Sequence, residues 1–110
     1  MKKKTILIVD DEELIRELLS KYFKDYFNVT TAPDGEDAVP LVSSVDLVIT
    51  DINMPKMTGL ELKKHIPDSI PTIFISGYMA NTSLNLENYI EKPFSLKQLH
   101  SKINELLKLG

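Results

Sequence analysis

Thr5-Ile6-Leu7-Ile8-Val9-Asp10-Asp11-Glu12 is the stretch on which the fold turns. A continuous apolar, β-branched run such as Thr5 to Val9 marks a strand buried on both faces, and such strands belong to parallel sheets covered by helices on each side. The run stops abruptly at four consecutive carboxylates, Asp10 to Glu13, so the carboxyl end of this strand is acidic. Just beyond, Leu14, Ile15, Leu18, Leu19, Tyr22 and Phe23 recur at three- and four-residue intervals, which is the pattern of an amphipathic helix. Val29 to Ala32 reads as a second strand. Asp34 suits the N-cap of a helix that Pro40 must shorten or kink, because proline cannot donate to the carbonyl one turn back.

Further along, Leu47 to Thr50 forms a third buried strand that ends at Asp51. Thr58 and Glu61 have the spacing of a reciprocal N-terminal cap, and the helix they open must stop near His65 or Ile66, ahead of Pro67. Thr72 to Ile75 and Tyr89 to Glu91 supply a fourth and a short fifth strand. Ser95 and Gln98 repeat the capping spacing before a last helix striped by Leu96, Leu99, Ile103, Leu106 and Leu107, with Gly110 suited to its end. Between Gly77 and Asn88 only a shortened fourth helix fits, and Asn81, Thr82, Ser83, Asn85 and Asn88 are weak helix formers. Strands alternating with helices imply right-handed crossovers, and five strands in one such unit match a flavodoxin-like α/β fold, a doubly wound parallel sheet of order 2-1-3-4-5. Residues 1–110 are expected to form a single domain.

Composition narrows the function. The 110 residues carry 13 Lys plus Arg against 16 Asp plus Glu, for a net charge of −3, which offers no electrostatic reason for direct nucleic-acid binding. With no cysteine, thiolate chemistry and Cys-ligated zinc are excluded. No apolar stretch is long enough for a membrane span, and Lys2 to Lys4 precede too short an apolar run for an export signal, so a cytoplasmic location is expected.

In a sheet of this order, ligands bind beyond the carboxyl ends of the strands, near the switch point between strands one and three. The groups found there are Asp10 and Asp11, Asp51, Ser76 and Gly77, and Lys92. Two like charges about 4 Å apart repel by ~4 kcal/mol at an effective dielectric near 20, so three clustered carboxylates require cationic company. Lys92 and a divalent metal would supply it, and an all-oxygen donor set favours Mg²⁺, with Mn²⁺ as the substitute. A carboxylate beside such a metal, a hydroxyl and a lysine can hold a transferring phosphoryl group, with Asp51 as the nucleophile that forms an acyl phosphate. Taken singly, Asp10 or Asp11 reads more simply as a helix cap, Ser76 as a turn residue and Lys92 as a solvated charge. Their joint presence at four strand ends favours the site.

Four stretches carry a family resemblance: Ile6-Leu7-Ile8-Val9-Asp10-Asp11-Glu12, Asp34-Gly35-Glu36-Asp37-Ala38, Asp51-Ile52-Asn53-Met54-Pro55 through Gly59, and Tyr89-Ile90-Glu91-Lys92-Pro93-Phe94. Together they resemble the receiver domains of two-component response regulators, from about Lys4 to the last helix. The resemblance implies that Asp51 accepts a phosphoryl group from a phosphohistidine on a sensor histidine kinase or histidine phosphotransfer protein. It implies Mg²⁺ on Asp11, Asp51 and the Asn53 carbonyl, with Asp10 reaching it through water. Ser76, Lys92 and the Gly77 amide would bind phosphoryl oxygens, and Ser76 with Tyr89 would form the switch. Asn53 and Tyr78 would tune the lifetime of the acyl phosphate. The Lys92–Pro93 bond would be cis.

By the same resemblance the domain assists its own phosphorylation and dephosphorylation without being an enzyme, and it signals to a downstream protein or effector domain through the surface around the fourth helix, the fifth strand and the last helix. His65 and His100 match no site of that family and are expected at solvated surface positions. Two alternatives compete: a small aspartate-nucleophile phosphohydrolase, against which the residue two after Asp51 is Asn53 rather than an acid, and a degenerate receiver serving only as a binding module.

Overall fold

The computed structural model describes residues 3–77 and 88–109. Five parallel strands, β1 (Thr5–Val9), β2 (Asn28–Ala32), β3 (Leu47–Asp51), β4 (Thr72–Ser76) and β5 (Tyr89–Glu91), form one sheet in the order β2-β1-β3-β4-β5. The expected order is therefore observed. The helices are α1 (Glu13–Phe23), α2 (Gly35–Ala38), α3 (Gly59–Lys63) and α4 (Leu96–Leu106), the last being the final helix of the sequence reading. The expected shortened helix between Gly77 and Asn88, and Tyr78 with it, lie outside the described residues.

Alternation along β1 divides the core in two. Ile6 and Ile8 face one layer, with Leu19 and Phe23 of α1, Leu99 and Ile103 of α4, and Ile49, Ile73, Ile75 and Ile90. Leu7 and Val9 face the other, with Ala38, Val42, Val48, Met54, Leu62 and Ile66. A side-chain period of two on a strand covered on both sides needs apolar residues at every position, which is why the run from Ile6 to Val9 has no polar interruption. The α1 stripe is only partly core, however. Leu14 is 77% and Leu18 51% exposed, so the apolar face of this helix is wider than the sheet can cover.

Local chemistry sets the helix ends. Asp34 accepts the Asp37 N–H, and Pro40 turns the end of α2 into a short 3₁₀ turn, Val39–Leu41. Thr58 and Glu61 cap α3 reciprocally, with Thr58 N–H donating to Glu61 Oε1 at 3.0 Å and Glu61 N–H to Thr58 Oγ1 at 3.1 Å. The α-helical part of α3 ends at Lys63, earlier than expected. The chain stays coiled to Ile66 through bonds spanning three residues, a tightening that accommodates the approach to Pro67. Ser95 accepts the Gln98 N–H at 2.9 Å, without the reciprocal bond that Glu61 makes.

At the other end of α4 the closing residue is Lys108, not Gly110, which lies outside the described residues. Lys108 adopts φ 59°, and the Leu109 and Lys108 amides bond back to Asn104 and Glu105 at 2.8 and 3.2 Å, the pattern of a left-handed helix terminus. The Lys92–Pro93 peptide is cis.

A second correction concerns His100. It is half-buried rather than solvated, because the end of α1 and the turn after it carry four aromatic residues that close around it. Its ring centroid lies 4.5 Å from Tyr26, 5.4 Å from Phe23, 5.6 Å from Tyr22 and 5.8 Å from Phe27, and its Nδ1 shares a 3.1 Å hydrogen bond with the Tyr22 hydroxyl. His65 is exposed, as expected.

The start of α3 is pressed against the end of β3. A Cβ added at Gly59 would drive into the backbone carbonyl of Asp51, and the Gly59 N–H donates to Ile52 O at 2.9 Å. By contrast, among the described residues a Cβ at Gly77 would meet only the Lys92 side chain, at an ordinary 3.9 Å. Gly59→Ala should therefore cost about 1–3 kcal/mol in urea denaturation, through overpacking against backbone that has nowhere to move. Gly77→Ala should stay within ~0.5 kcal/mol of wild type. Equal stabilities for the two variants would contradict this account of the β3–α3 junction.

Candidate functional site

Register brings the site together. Val9 pairs with both Ala32 and Thr50, and Asp51 pairs with Ile75, so β1, β3 and β4 all end at one edge of the sheet. The residues that follow emerge side by side. Carboxylate oxygens of Asp10, Asp11 and Asp51 all lie within 4.8 Å of one another. Lys92, carried in just after β5, reaches across to them. Its Nζ is 3.0 Å from Asp51 Oδ2, 3.7 Å from Asp10 Oδ2 and 3.7 Å from Glu12 Oε1.

The turns hold these groups in place. The Glu12 N–H donates to Asp10 Oδ1 at 2.8 Å, and the Asn53 N–H to Asp51 Oδ1 at 3.1 Å, so each carboxylate accepts from the amide two residues on. The N-cap of α1 is Glu12, whose side chain makes no capping bond. The simple reading of Asp10 or Asp11 as the cap of that helix is therefore not what the chain adopts. Ser76 is fully buried at the end of β4, where Asn53 Nδ2 donates to its Oγ at 3.3 Å and the Lys92 N–H to its carbonyl at 2.8 Å. The Tyr89 hydroxyl approaches the same carbonyl at 3.4 Å. Gly77 is exposed beside Lys92.

Of the residues singled out in the sequence, Asp10, Asp11, Asp51 and Lys92 converge directly, Asn53, Ser76 and Gly77 border them, and Tyr89 stands one strand away. Two neighbours escaped the sequence reading. Glu12 pairs with Lys92, although it belongs to the acidic stretch already quoted. Arg16 Nη1 donates to the Asp10 carbonyl at 2.7 Å, and no motif signals a contact from one turn into a helix back to the preceding strand.

Burial dominates the electrostatics. It pushes the Asp10 carboxyl above its usual range, and the nearby Asp51 and Glu12 add to that, while the Glu12 amide and Lys92 act the other way. Burial acts to lower Lys92, but the hydrogen bond to Asp51 and the charges of Asp10, Asp51 and Glu12 outweigh it and hold the ammonium above its ordinary value. One lysine cannot balance Asp10, Asp11 and Asp51. The donor set is carboxylate oxygen throughout, and two negative charges remain uncompensated by Lys92, so the cluster fits a hard divalent cation.

The matches to known proteins agree with this edge. The model of the response regulator receiver domain covers residues 6–104. The chain is 35% identical to the response regulator SaeR of Staphylococcus epidermidis over 113 aligned positions, covering 93% of this chain and 49% of SaeR. A two component transcriptional regulator AraC from Clostridium phytofermentans superposes with a TM-score of 0.84 at 29% identity, covering 97% of this chain and 94% of that one. A response regulator receiver domain protein from Clostridium thermocellum, at 24% identity and a TM-score of 0.85 over 96% of this chain and 94% of that one, shares the fold. The chain belongs to the response regulator receiver domain family, a class of signalling domain in two-component systems. This membership removes the phosphohydrolase alternative. The chain spans about half the length of SaeR, 49%. None of the described helices is long and apolar enough to cross a membrane.

Asp10 provides a test of the electrostatics. A folded-state pKa raised above the ordinary 3.8 means that folding favours the protonated acid. Its contribution to stability is complete below that ordinary value and is lost as the pH rises through the raised one. Asp10→Asn keeps the shape and removes the charge, so in EDTA it should melt higher than wild type at pH 7, by about 4–8 °C for each kcal/mol recovered. The gain should shrink as the pH falls into the carboxylate range. Thermal melts across pH would refute this if the gain were independent of pH or negative at pH 7.

Proposed function

We propose that Asp51 is the phosphoacceptor of this receiver and that it is charged by a phosphohistidine on a sensor histidine kinase or histidine phosphotransfer protein. The observation that carries the proposal is the 3.0 Å contact between Lys92 Nζ and Asp51 Oδ2 inside a cluster of three converging carboxylates. Only Asp51 among them sits at the end of the strand central to that edge and accepts Lys92 directly. Its carboxylate oxygen attacks phosphorus, a new O–P bond forms, and the N–P bond to the donor imidazole breaks. Lys92 then transfers its contact from Asp51 to a phosphoryl oxygen. The Ser76 hydroxyl, already facing Asn53, donates to another.

Asp10, Asp11, Asp51 and the Asn53 carbonyl would hold Mg²⁺. Bound there, the cation supplies charge neutralisation for the incoming phosphoryl oxygens. Asp10 and Asp11 keep the negative potential that selects a divalent ion, and burial of Asp51 limits access of water to the acyl phosphate. Once Ser76 is drawn toward the phosphoryl group, Tyr89, whose hydroxyl lies by the Ser76 carbonyl, follows inward and alters the surface around β5 and α4. That surface would signal to a downstream protein or an effector domain. The acyl phosphate is hydrolysed in the same site, with Asn53 and Tyr78 tuning its lifetime.

Incubation with acetyl phosphate and Mg²⁺, followed by mass measurement of the intact protein, tests the assignment. Wild type should gain one phosphoryl mass in Mg²⁺ and none in EDTA, and Asp51→Asn none in either. Labelling of Asp51→Asn at the wild-type rate would move the acceptor elsewhere, and no adduct on wild type would leave a binding module.

A further inference from the structure

Arg16 lies near the N-terminus of α1, where the helix dipole disfavours a cation. Its partner lies outside the helix. Nη1 donates to the backbone carbonyl of Asp10 at 2.7 Å, a short, charge-assisted bond from a half-buried side chain. Among the described residues no carboxylate pairs with its guanidinium, although Glu12, Glu13 and Glu17 are all near in sequence. The bond therefore goes to one backbone oxygen, not to the acidic surface around it.

That oxygen belongs to the peptide joining Asp10 to Asp11. The Asp10 N–H is bonded to Ala32 O at 3.2 Å and its Oδ1 accepts the Glu12 N–H at 2.8 Å, so the carbonyl is the remaining group by which the turn could pivot. Rotation of this peptide would swing Asp11, whose side chain is otherwise exposed, away from Asp10 and Asp51. We infer that Arg16 is a positioning residue for the cation site, clamping the Asp10–Asp11 peptide so that the Asp11 carboxylate stays within reach of the other two. The inference rests on the reading of Asp10, Asp11 and Asp51 as holders of Mg²⁺.

Charge and position have opposite signs here, which makes the idea testable. A guanidinium so close to the cluster repels an incoming cation, so if Arg16 acted only through its charge, Arg16→Ala would bind Mg²⁺ more tightly. If it positions the turn, the same change weakens binding by roughly tenfold, the usual scale for losing a group that orients a metal ligand. Titration calorimetry of the unphosphorylated 110-residue chain with MgCl₂ reads this directly. Arg16→Lys keeps the charge and one donor but loses the planar fork, and it should fall between wild type and alanine. Affinity in Arg16→Ala equal to or tighter than wild type overturns the inference. If that variant does not fold, the lysine variant decides: several-fold weaker binding supports the clamp and wild-type affinity refutes it. A wild type that binds no Mg²⁺ sinks the underlying reading of the site, a result distinct from either.

Discussion

The pairing of Val9 with Thr50 is the contact on which the site depends. Because β1 and β3 run parallel and in that register, the residues that follow, Asp10 and Asp51, leave the sheet next to each other on the same edge. A slip of one residue would turn every side chain of β1 to the opposite face, exchanging the two core layers and carrying Asp10 away from Asp51. The apolar packing of Ile6, Leu7, Ile8 and Val9, all essentially inaccessible to solvent, is thus also what aligns the chemistry. Stability and function share one register.

The cost of that alignment is charge repulsion, and the fold offsets it only in part. Lys92 spans the gap from the far side of the sheet, where the turn after β5 delivers it to Asp51, Asp10 and Glu12. A better balance would need a second cation, and Arg16, which reaches the Asp10 turn, is committed to a backbone carbonyl. A receiver gains from this incomplete compensation. A site neutral on its own would have no electrostatic preference for a divalent ion.

Much of this was legible in the sequence, for identifiable reasons. Buried parallel strands advertise themselves as unbroken apolar runs, so β1, β3 and β4 could be read to within a residue, and the strand order followed from their alternation with helices. The acids at the strand ends were legible as a site because four strand ends carry complementary groups at once, although each acid alone reads as a helix cap. What stayed hidden depends on contacts between distant segments. His100 looked like a surface residue because nothing in α4 reveals that Tyr22, Phe23, Tyr26 and Phe27 gather around it from the other end of the chain. The same holds for Arg16, whose bond to Asp10 crosses from helix to strand, and for Lys108, which takes the left-handed position at a helix end where glycine was the natural choice.

Arg16 and Tyr22 sit near opposite ends of α1, and each is tied to something outside it. One end is fastened to the Asp10 carbonyl, the other to the His100 ring on α4. A rod anchored at both ends cannot roll about its own axis or slide along the sheet without breaking an anchor. The same cluster of aromatic rings that half-buries His100 thereby braces the first helix against the last, joining the two ends of the chain.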